Sequence, residues 1–238
     1  MYLNQNFVAI IPARKGSRGL KNKNILNLNG HPLISYSINF AKKSKFIDKV
    51  FVTTDGLNIA KISKRYGANV IIRPKNLANE MIMPDFAVVH AIKYIENKLN
   101  YKIDNVVFLQ PTCPLRKNFE IDKAIKFFYK TKADSLFSGV DIQPHIWSKT
   151  RKKLKPINFN PKKRLGRQNS SQFVNETGSF YITKKDIFKK FNNRFGGKIV
   201  VFLSDIYTLF DIDSIKEFNF VSKLLKANAL KSYGISIP

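Results

Sequence analysis

Short apolar, β-branched runs alternate with segments of helical periodicity along most of the chain. Such runs, bounded by polar and turn-forming residues, are typical of buried strands. The predicted strands are Phe7–Ile11, Lys49–Thr53, Asn69–Ile72, Asn105–Leu109, Ser135–Val140, Gly178–Thr183 and Lys198–Leu203. The predicted helices are Pro32–Lys43, Leu57–Tyr66, Asp85–Leu99, Asn118–Tyr129 and, approximately, Ser214–Leu225.

The segment Asp85–Leu99 shows the helical pattern well, because Val88, Ile92, Ile95 and Leu99 fall on one face. The strands are apolar almost throughout and do not alternate with polar residues. Near-continuous apolar strands separated by helices indicate a parallel sheet that helices cover on both faces. We therefore expect an α/β fold.

The alternation stops after Val140, where the segment 143–172 is polar, basic and contains proline. This segment is too long for an ordinary loop, so we expect an arm or hairpin that protrudes from the domain. No internal repeat or low-complexity linker separates the two halves of the chain. The sequence thus predicts one domain over residues 1–238, with an inserted arm at residues 143–172.

Composition narrows the class of protein. Of the 238 residues 44% are hydrophobic, enough to bury a large core, and the single cysteine, Cys113, excludes an internal disulfide and a cysteine-rich metal site. No stretch has the pattern of a signal peptide or a membrane span, so we expect a cytoplasmic protein. The net charge of +26 allows a nucleic-acid partner. Because the lysines are spread over most predicted helices, a solvated surface that attracts anionic small molecules is the preferred interpretation.

A basic loop, Arg14–Asn24, follows the first predicted strand and contains Gly16 and Gly19. Glycines let the backbone approach a ligand closely, and a basic loop at this place in an α/β protein is where a polyphosphate binds. The glycine spacing matches neither the P-loop nor the dinucleotide-binding signature. On its own, the loop could also be solvated surface, which is the less favoured alternative.

Further polar clusters end other predicted strands, and ligands bind at that edge of a parallel sheet. Thr53–Gly56 could contribute to a site or simply form a helix cap and turn. Arg73 follows the third strand, and the segment Gln110–Arg116, which reads Gln-Pro-Thr-Cys-Pro-Leu-Arg, follows the fourth. The latter has more polar hydrogen-bonding capacity than a simple connection needs.

Asp211 and Asp213 form a pair of carboxylates in a chain that has only 16 acidic residues. In extended structure, residues two apart face the same side, and two adjacent carboxylates favour a divalent cation between them. The alternative is that Asp213 caps the last helix. With the cationic loop and the Gln110–Arg116 segment, the pair predicts a site for nucleotidyl or phosphoryl transfer.

These motifs together resemble the acylneuraminate cytidylyltransferases, or CMP-sialic acid synthetases. The family's opening motif, I-P-A-R-x-x-S-K-G-x-x-x-K-N, is found at 10–24 with Arg18 for the lysine. Five further family motifs have counterparts: S-T-D at 53–55, L-Q-P-T-S-P-L-R at 109–116, Arg-Gln at 167–168, E-N-G-[AS]-x-Y-I at 176–182 and D-I-D at 211–213. The motifs follow in the family's order over residues 7–225, which makes the resemblance specific.

The resemblance implies a Rossmann-like fold, and a reaction in which CTP and an acidic nine-carbon 2-keto sugar, N-acetylneuraminate or similar, give a CMP-sugar and diphosphate. It also implies a homodimer held by the arm, and Mg²⁺ as cofactor with Mn²⁺ as a substitute. For individual residues, it implies the following roles. Arg14, Ser17, Lys23, Asn24 and Arg73 would bind CTP; Gln110, Arg167, Gln168, Tyr181 and Phe195 would surround the sugar; Asp211 and Asp213 would hold the metal; and Arg14, Lys23, Asp211 and Asp213 would be catalytic. Arg167 would lie near the partner's active site.

The chain departs from the family pattern in two places near the expected substrates. Thr177 stands where the family has asparagine, and the family's L-A-S-D-T-A-S-S is Leu77–Pro84 here, without the small hydroxyl residues. Legionaminate, pseudaminate or another acidic sugar is therefore an alternative substrate. The eight-carbon acid Kdo ranks lower, because residues 21–24 lack the Gly-Lys-Pro of its enzymes. An alternative of another class is a polyanion-binding or nucleic-acid-binding protein on an inactive transferase fold, although we expect no specific nucleic-acid partner and no membrane association.

Overall fold

A computed structural model describes residues 2, 4–16, 19–79, 81–151, 153–166, 172–227 and 234–238. The strands, numbered in chain order, are β1 Phe7–Pro12, β2 Asn27–Leu28, β3 His31–Pro32, β4 Lys49–Thr54, β5 Asn69–Ile72, β6 Asn105–Leu109, β7 Ser135–Ile142, β8 Trp147–Lys149, β9 Leu154–Pro156, β10 Phe173–Lys184 and β11 Ile199–Leu203. The α-helices are α1 Leu33–Lys42, α2 Leu57–Arg65, α3 Pro84–Leu99, α4 Glu120–Lys130, α5 Lys185–Phe191 and α6 Ile215–Lys226.

Seven strands form the central sheet in the order β11-β7-β10-β6-β1-β4-β5. The pairs β1–β4, β1–β6, β4–β5 and β7–β11 are parallel. Strand β10 is antiparallel to both of its neighbours, β6 and β7. The predicted α/β class with a mostly parallel sheet is therefore confirmed. The carboxyl ends of β1, β4, β5 and β6 meet at one edge.

Successive side chains of each strand point to opposite faces of the sheet, so the apolar core is divided between the two faces. In β1, Phe7, Ala9 and Ile11 pack on one face with α1, α2 and α4, whereas Val8 and Ile10 pack on the other with α3. Each face is apolar because each is covered by helices. A third cluster joins α6 to the hairpin β2–β3 through Ile212, Val221 and Leu28, and so anchors the segment that carries Asp211 and Asp213.

The predicted elements agree with the structure apart from a few boundaries, the helix α5 and the two-residue strands β2 and β3. Helix α5 was not predicted, because its seven residues, read as KDIFKKF, are too few to show a clear apolar period. Strand β10 begins at Phe173, well before the predicted Gly178, because its first residues pair with β7 beyond the domain's core. None of the helices in the described ranges is long and apolar enough to cross a membrane.

The predicted arm contains a short antiparallel hairpin, in which β8 pairs with β9. Trp147 and His145 pack against Phe159 beside this hairpin, with ring centroids 5.1 and 4.5 Å apart. Strand β7 of the seven-stranded sheet runs to Ile142 and leads into the arm, and β10 leads back out of it. Part of segment 143–172 thus forms a short hairpin, and the inserted arm and its role in dimerisation stay predictions.

Candidate active site

A cleft of about 490 Å³ opens at the carboxyl edge of the sheet. The loops after β1, β5 and β6 form its walls, together with the segment before α6. This is the place that an α/β topology provides for ligands. The cleft brings together seven predicted site residues that are far apart in sequence: Arg14, Lys23, Asn24, Arg73, Gln110, Asp211 and Asp213.

The two carboxylates lie in a backbone segment that is fixed to the loop after β6. The Ile212 amide donates a hydrogen bond of 2.9 Å to the Thr112 carbonyl, and the Ile212 side chain is buried in the third apolar cluster. The Lys23 ammonium lies 2.5 Å from Asp213 Oδ1. Asp213 is 72% exposed whereas Lys23 is 13% exposed, so the pair places a nearly buried cation beside a solvent-facing anion.

Asp213 does not cap the last helix, so that alternative is wrong. Ser214 is the N-cap of α6 and forms a capping box with Glu217. The Glu217 carboxylate also accepts a hydrogen bond of 2.8 Å from the Asp213 amide. Because these groups satisfy the helix terminus, the carboxylates of Asp211 and Asp213 are both left to the cleft.

Asp211 differs from Asp213 in its environment. Burial raises the pKa of the Asp211 carboxyl above its ordinary value, and repulsion from the neighbouring Asp213 adds to this effect. A hydrogen bond with Thr112 lowers the pKa but does not cancel the rise. A carboxylate whose pKa is raised by a neighbouring carboxylate marks a site where a cation is favourable. Among the described residues there is no group of three or more His, Cys, Asp or Glu that could hold a metal. Two carboxylates, completed by water and substrate phosphates, nevertheless fit the way proteins bind Mg²⁺.

Gly19 is where the basic loop touches the carboxylate segment. A Cβ atom built on Gly19 would lie 2.2 Å from the Asp213 carbonyl oxygen. Such a distance is far inside van der Waals contact, so the close approach requires glycine. Gly19 thus allows two walls of the cleft, the basic loop and the segment that carries Asp213, to contact each other.

The rest of the basic loop is held by hydrogen bonds to its backbone. Asn24 is buried, and its side-chain amide donates a hydrogen bond of 2.9 Å to the Arg14 carbonyl. Asp55 accepts a hydrogen bond of 2.9 Å from the Lys15 amide and lies 3.7 Å from the Arg73 guanidinium. Asp55 is not the cap of α2, whose N-cap is Gly56 without a side-chain cap hydrogen bond. Instead it joins the loops after β1, β4 and β5.

Arg73 is a buried cation with unused hydrogen-bonding capacity. Burial lowers the pKa of Arg73, Asp55 opposes this effect, and Arg14 adds to it by repulsion. Among the described residues its Nε atom has no hydrogen-bond partner. A buried guanidinium with an unpartnered donor, beside a second arginine in a cleft, is suited to an anionic or polar ligand.

The neutral side of the cleft is the segment Gln110–Thr112, which Arg116 holds in place. Arg116 is completely buried, and its guanidinium donates to the Gln110 carbonyl at 2.6 Å and to the Ser179 carbonyl at 2.7 Å. It also donates to the Ser37 hydroxyl at 2.9 Å. One side chain therefore fixes the loop after β6 to β10 and to α1. The sequence had placed Arg116 at the end of a polar segment without this role.

Gly178 is required opposite Gln110. Its φ is +70°, and a Cβ there would lie 2.8 Å from Gln110 Oε1. Next to it, the Thr177 hydroxyl is buried and lies 2.7 Å from the Ser138 hydroxyl. Thr177, which replaces the family's asparagine, is thus engaged within the sheet.

Two predicted sugar residues, Tyr181 and Phe195, lie behind the wall of the cleft. Tyr181 is buried and stacks on Phe108, with ring centroids 5.4 Å apart, and Phe108 itself lines the cleft. Phe195 packs edge-on against Tyr181 at 5.8 Å. The Tyr181 hydroxyl donates to Glu176, and burial together with this contact raises the pKa of the Tyr181 phenol.

The sequence missed several wall residues and could not have found most of them. Phe108 reads as one more apolar strand residue, and only strand order shows that it ends at the cleft. Ile82 and Pro84 line the cleft where the family pattern has alanine and serine, so the departure in Leu77–Pro84 makes this part of the wall more apolar. Ser17, Arg167 and Gln168, which were also predicted to bind substrates, lie outside the described residues.

Comparison with known proteins places this site in a family. A model of the cytidylyltransferase family matches residues 8–236. The chain is 31% identical to a post-translational flagellin modification protein B of Campylobacter coli, over 93% of this chain and 96% of that one. It is 28% identical to a pseudaminic acid cytidylyltransferase of Campylobacter jejuni, over 93% and 97% of the two chains.

A third relative and a solved structure agree with these matches. The chain is 28% identical to an N-acylneuraminate cytidylyltransferase of Escherichia coli O18:K1:H7, covering 89% of this chain and 50% of that one. The fold is similar to that of a CMP:2-keto-3-deoxy-manno-octonic acid synthetase solved with CTP, at a TM-score of 0.69, 14% identity and coverage of 93% and 99%. The match of the family model over nearly the whole chain, together with the motifs that meet in the cleft, shows that this protein belongs to the cytidylyltransferase family.

Proposed function

We propose that this protein transfers the cytidylyl group of CTP to the anomeric hydroxyl of an acidic nine-carbon 2-keto sugar and releases diphosphate. The proposal rests chiefly on how the cleft is divided. In the strand order β6-β1-β4-β5, the cations Arg14, Lys23 and Arg73 follow β1 and β5. The neutral segment Gln110–Thr112 follows β6. Asp211 and Asp213 lie between the two halves, where the two substrates would meet.

The cationic half suits a triphosphate. Lys23 is nearly buried and already balanced by Asp213 at 2.5 Å, which fixes its ammonium in one position. A fixed cation stabilises charge that develops on a leaving group better than a mobile one. We therefore assign Lys23, with Arg14, to the charge that builds on the departing diphosphate, and Arg73 and Asn24 to the rest of the nucleotide.

The carboxylates have two roles in this proposal. Asp211 and Asp213 would hold Mg²⁺, or Mn²⁺ in its place, and the ion would neutralise phosphate charge when bound. Asp211 also lies beside Thr112, on the sugar side of the cleft, where a carboxylate can accept a proton from a bound hydroxyl. Asp211 would help to take the proton from the sugar hydroxyl that attacks the α-phosphorus in line.

The sugar is proposed as a nonulosonic acid. N-acetylneuraminate is supported by the motifs at 10–24, 109–116 and 211–213 and by the relative from Escherichia coli. Pseudaminate is a second candidate, supported by the relative from Campylobacter jejuni that matches over almost its entire length. Thr177 also bears on the choice, since its hydroxyl is engaged by Ser138 and the side-chain amide of the family pattern is missing.

A diphosphate-release assay with CTP and Mg²⁺ tests the proposal. The panel contains N-acetylneuraminate, legionaminate, pseudaminate and Kdo, and a chelator and Mn²⁺ are tested in parallel. We expect release with at least one nine-carbon acid, more slowly with Kdo, and none in the chelator. Absence of release with every acid refutes the proposal. Tight, salt-sensitive binding of RNA or DNA without any release would instead favour the polyanion-binding alternative.

We also propose a homodimer, formed through the arm, in the cytoplasm. The hairpin exposes apolar side chains, with Leu154 61%, Ile157 63% and Trp147 40% exposed. Clustered exposed apolar side chains are typical of interaction surfaces. Light scattering after gel filtration should give twice the mass of 27.4 kDa. The double variant Leu154→Ser/Ile157→Ser should give a monomer, and an unchanged mass would refute the role of the arm.

A further inference from the structure

Arg194 makes an unusual set of contacts close to the cleft. It lies in the loop after α5, and its Nη2 and Nε atoms donate to the two carboxylate oxygens of Asp85 at 2.6 and 3.0 Å. The Arg194 backbone amide donates to the same carboxylate at 2.9 Å. Asp85 is completely buried at the start of α3, directly after the apolar wall residue Pro84. Three hydrogen bonds therefore fix this loop to one helix terminus.

The guanidinium of Arg194 also touches two aromatic rings. Its central carbon lies 4.2 Å from the ring centroid of Phe108 and 4.4 Å from that of Tyr181. These rings belong to the neighbouring strands β6 and β10 and stack on each other. A cation near aromatic ring faces is attracted to them, so Arg194 connects the start of α3 to this stack.

The stack is the support of the sugar side of the cleft. Phe108 lines the cleft, and the Tyr181 hydroxyl donates to Glu176. Phe195, the residue after Arg194, packs against the Tyr181 ring. The position of each of these side chains therefore depends on where the Arg194–Asp85 pair holds the loop and the rings.

We infer that Arg194 is a positioning residue for the sugar. Through its ion pair with Asp85, Arg194 sets the positions of Phe108, Tyr181 and Phe195. The inference rests on the proposed function, and it adds a residue that has no part in the motifs at 10–24, 53–55, 109–116, 167–168, 176–182 or 211–213. Arg194 itself does not line the cleft among the described residues, so it acts through the rings and not by touching the substrate.

The physics of buried ion pairs makes this role separable from stability. Replacing both partners of a buried pair by neutral groups of similar size is often neutral for stability, whereas removing one partner leaves an uncompensated charge. The double variant Asp85→Asn/Arg194→Met uses this difference. The side-chain oxygen of the introduced asparagine can still accept a hydrogen bond from the backbone amide of residue 194, and the introduced methionine side chain can still pack against the rings.

The experiment compares this double variant with Arg194→Lys and with a matched control, Glu96→Gln. Glu96 of α3 forms ion pairs with Lys185 and Lys189 of α5, at 3.1 and 2.5 Å. The control therefore breaks ionic contacts between α3 and α5, the helix that precedes the Arg194 loop, among residues that do not line the cleft. Four quantities are measured: the melting temperature, Kd for CTP by calorimetry, kcat and KM for the sugar that the wild type turns over, and a crystal structure of the double variant.

We expect the double variant to keep its melting temperature within about 5 °C and its Kd for CTP within about threefold, while kcat/KM for the sugar falls at least tenfold. Arg194→Lys should recover part of the loss, because it restores the charge but not the planar contact. Glu96→Gln should keep kcat/KM for the sugar.

Several results would overturn the inference. One is a double variant with wild-type kcat/KM for the sugar; another is a parallel loss for CTP and sugar, which indicates general loosening. If the wild type turns over no acidic sugar, the proposed function fails, and the crystal structure then decides. Displacement of Tyr181 or Phe195 in the double variant supports the positioning role, and unmoved side chains refute it.

Discussion

Replacing Arg116 by methionine tests whether one buried cation organises the sugar side of the cleft. The guanidinium is completely buried and donates to the Gln110 and Ser179 carbonyls and the Ser37 hydroxyl. Its charge also lies over the Phe40 ring at 5.3 Å. Burial lowers the pKa of Arg116 to about 10, even though neighbouring acidic groups favour the charged form. The arginine therefore remains charged at neutral pH, in a place where charge is costly.

The size of the effect follows from the acceptors that methionine leaves behind. The Ser179 carbonyl loses both hydrogen bonds that it accepts from the guanidinium. The Gln110 carbonyl loses its shortest hydrogen bond and keeps one from the Ser37 hydroxyl at 3.1 Å. A buried acceptor without a donor costs about 1 to 3 kcal/mol, and relief of the buried charge offsets part of the sum. We expect a loss of about 2 to 4 kcal/mol in the free energy of unfolding, or about 4 to 16 °C in melting temperature.

Activity should fall by more than the loss of stability explains. Arg116 holds the Gln110 backbone against β10, so its loss shifts the segment Gln110–Thr112 and, through the hydrogen bond from Ile212 to Thr112, the carboxylates. A displacement of about 1 Å can cost about 10²-fold in rate. We expect kcat/KM for the sugar to fall at least that far at a temperature where the variant is folded.

Circular dichroism melting and steady-state kinetics check both expectations. The matched control is Arg65→Met, the same substitution at an exposed position of α2, which should change stability by less than about 0.5 kcal/mol. A melting temperature for Arg116→Met within about 2 °C of the wild type, roughly the effect of a single kcal/mol, would refute the reasoning on buried acceptors. Unchanged kinetics in a destabilised variant would refute the positioning of the segment.

Three further predictions concern single residues in or beside the cleft. Gly178→Ala should cost about 1 to 2 kcal/mol, because a φ of +70° is strained for alanine, and should raise KM for the sugar by displacing Gln110; urea unfolding and kinetics measure the two effects. Lys23→Met should lower kcat by about 10²- to 10³-fold while far-ultraviolet dichroism stays unchanged, and a near-normal kcat would contradict its assignment. Asp211→Asn should abolish diphosphate release yet unfold at higher urea than the wild type at pH 7 without metal. The pKa of Asp211 in the folded protein lies above the ordinary 3.8, so ionisation of Asp211 destabilises the folded wild type above that pH. The difference in stability between variant and wild type should therefore vanish below about pH 3.8.

The fold was largely readable from the sequence because its signals are local. Apolar runs such as Phe7–Ile11 and the period of Asp85–Leu99 state which segments are strands and helices, and their alternation states that the sheet is mostly parallel. The short helix α5 was not predicted, because its seven residues make too few helical turns to show an apolar period. The early start of β10 escaped because its partner, the end of β7, is distant in sequence.

The chemistry of the site was also present in the sequence, as residue types in motifs. Arg14, Lys23, Gln110, Asp211 and Asp213 were named from the motifs, and all of them line the cleft. Local spacing cannot say which of two nearby groups does which task. That Ser214, and not Asp213, caps α6 depends on backbone angles at the helix terminus.

Only the tertiary structure decided how the site is supported. Gly19 against the Asp213 carbonyl, Arg116 between β6, β10 and α1, and Arg194 on Asp85 are contacts between residues far apart in sequence. A single chain carries no local signal for such pairs, because the strand order that makes them neighbours results from packing the whole domain. The sequence by itself determined the elements and the reactive groups, and tertiary packing decided which other residues hold those groups in place.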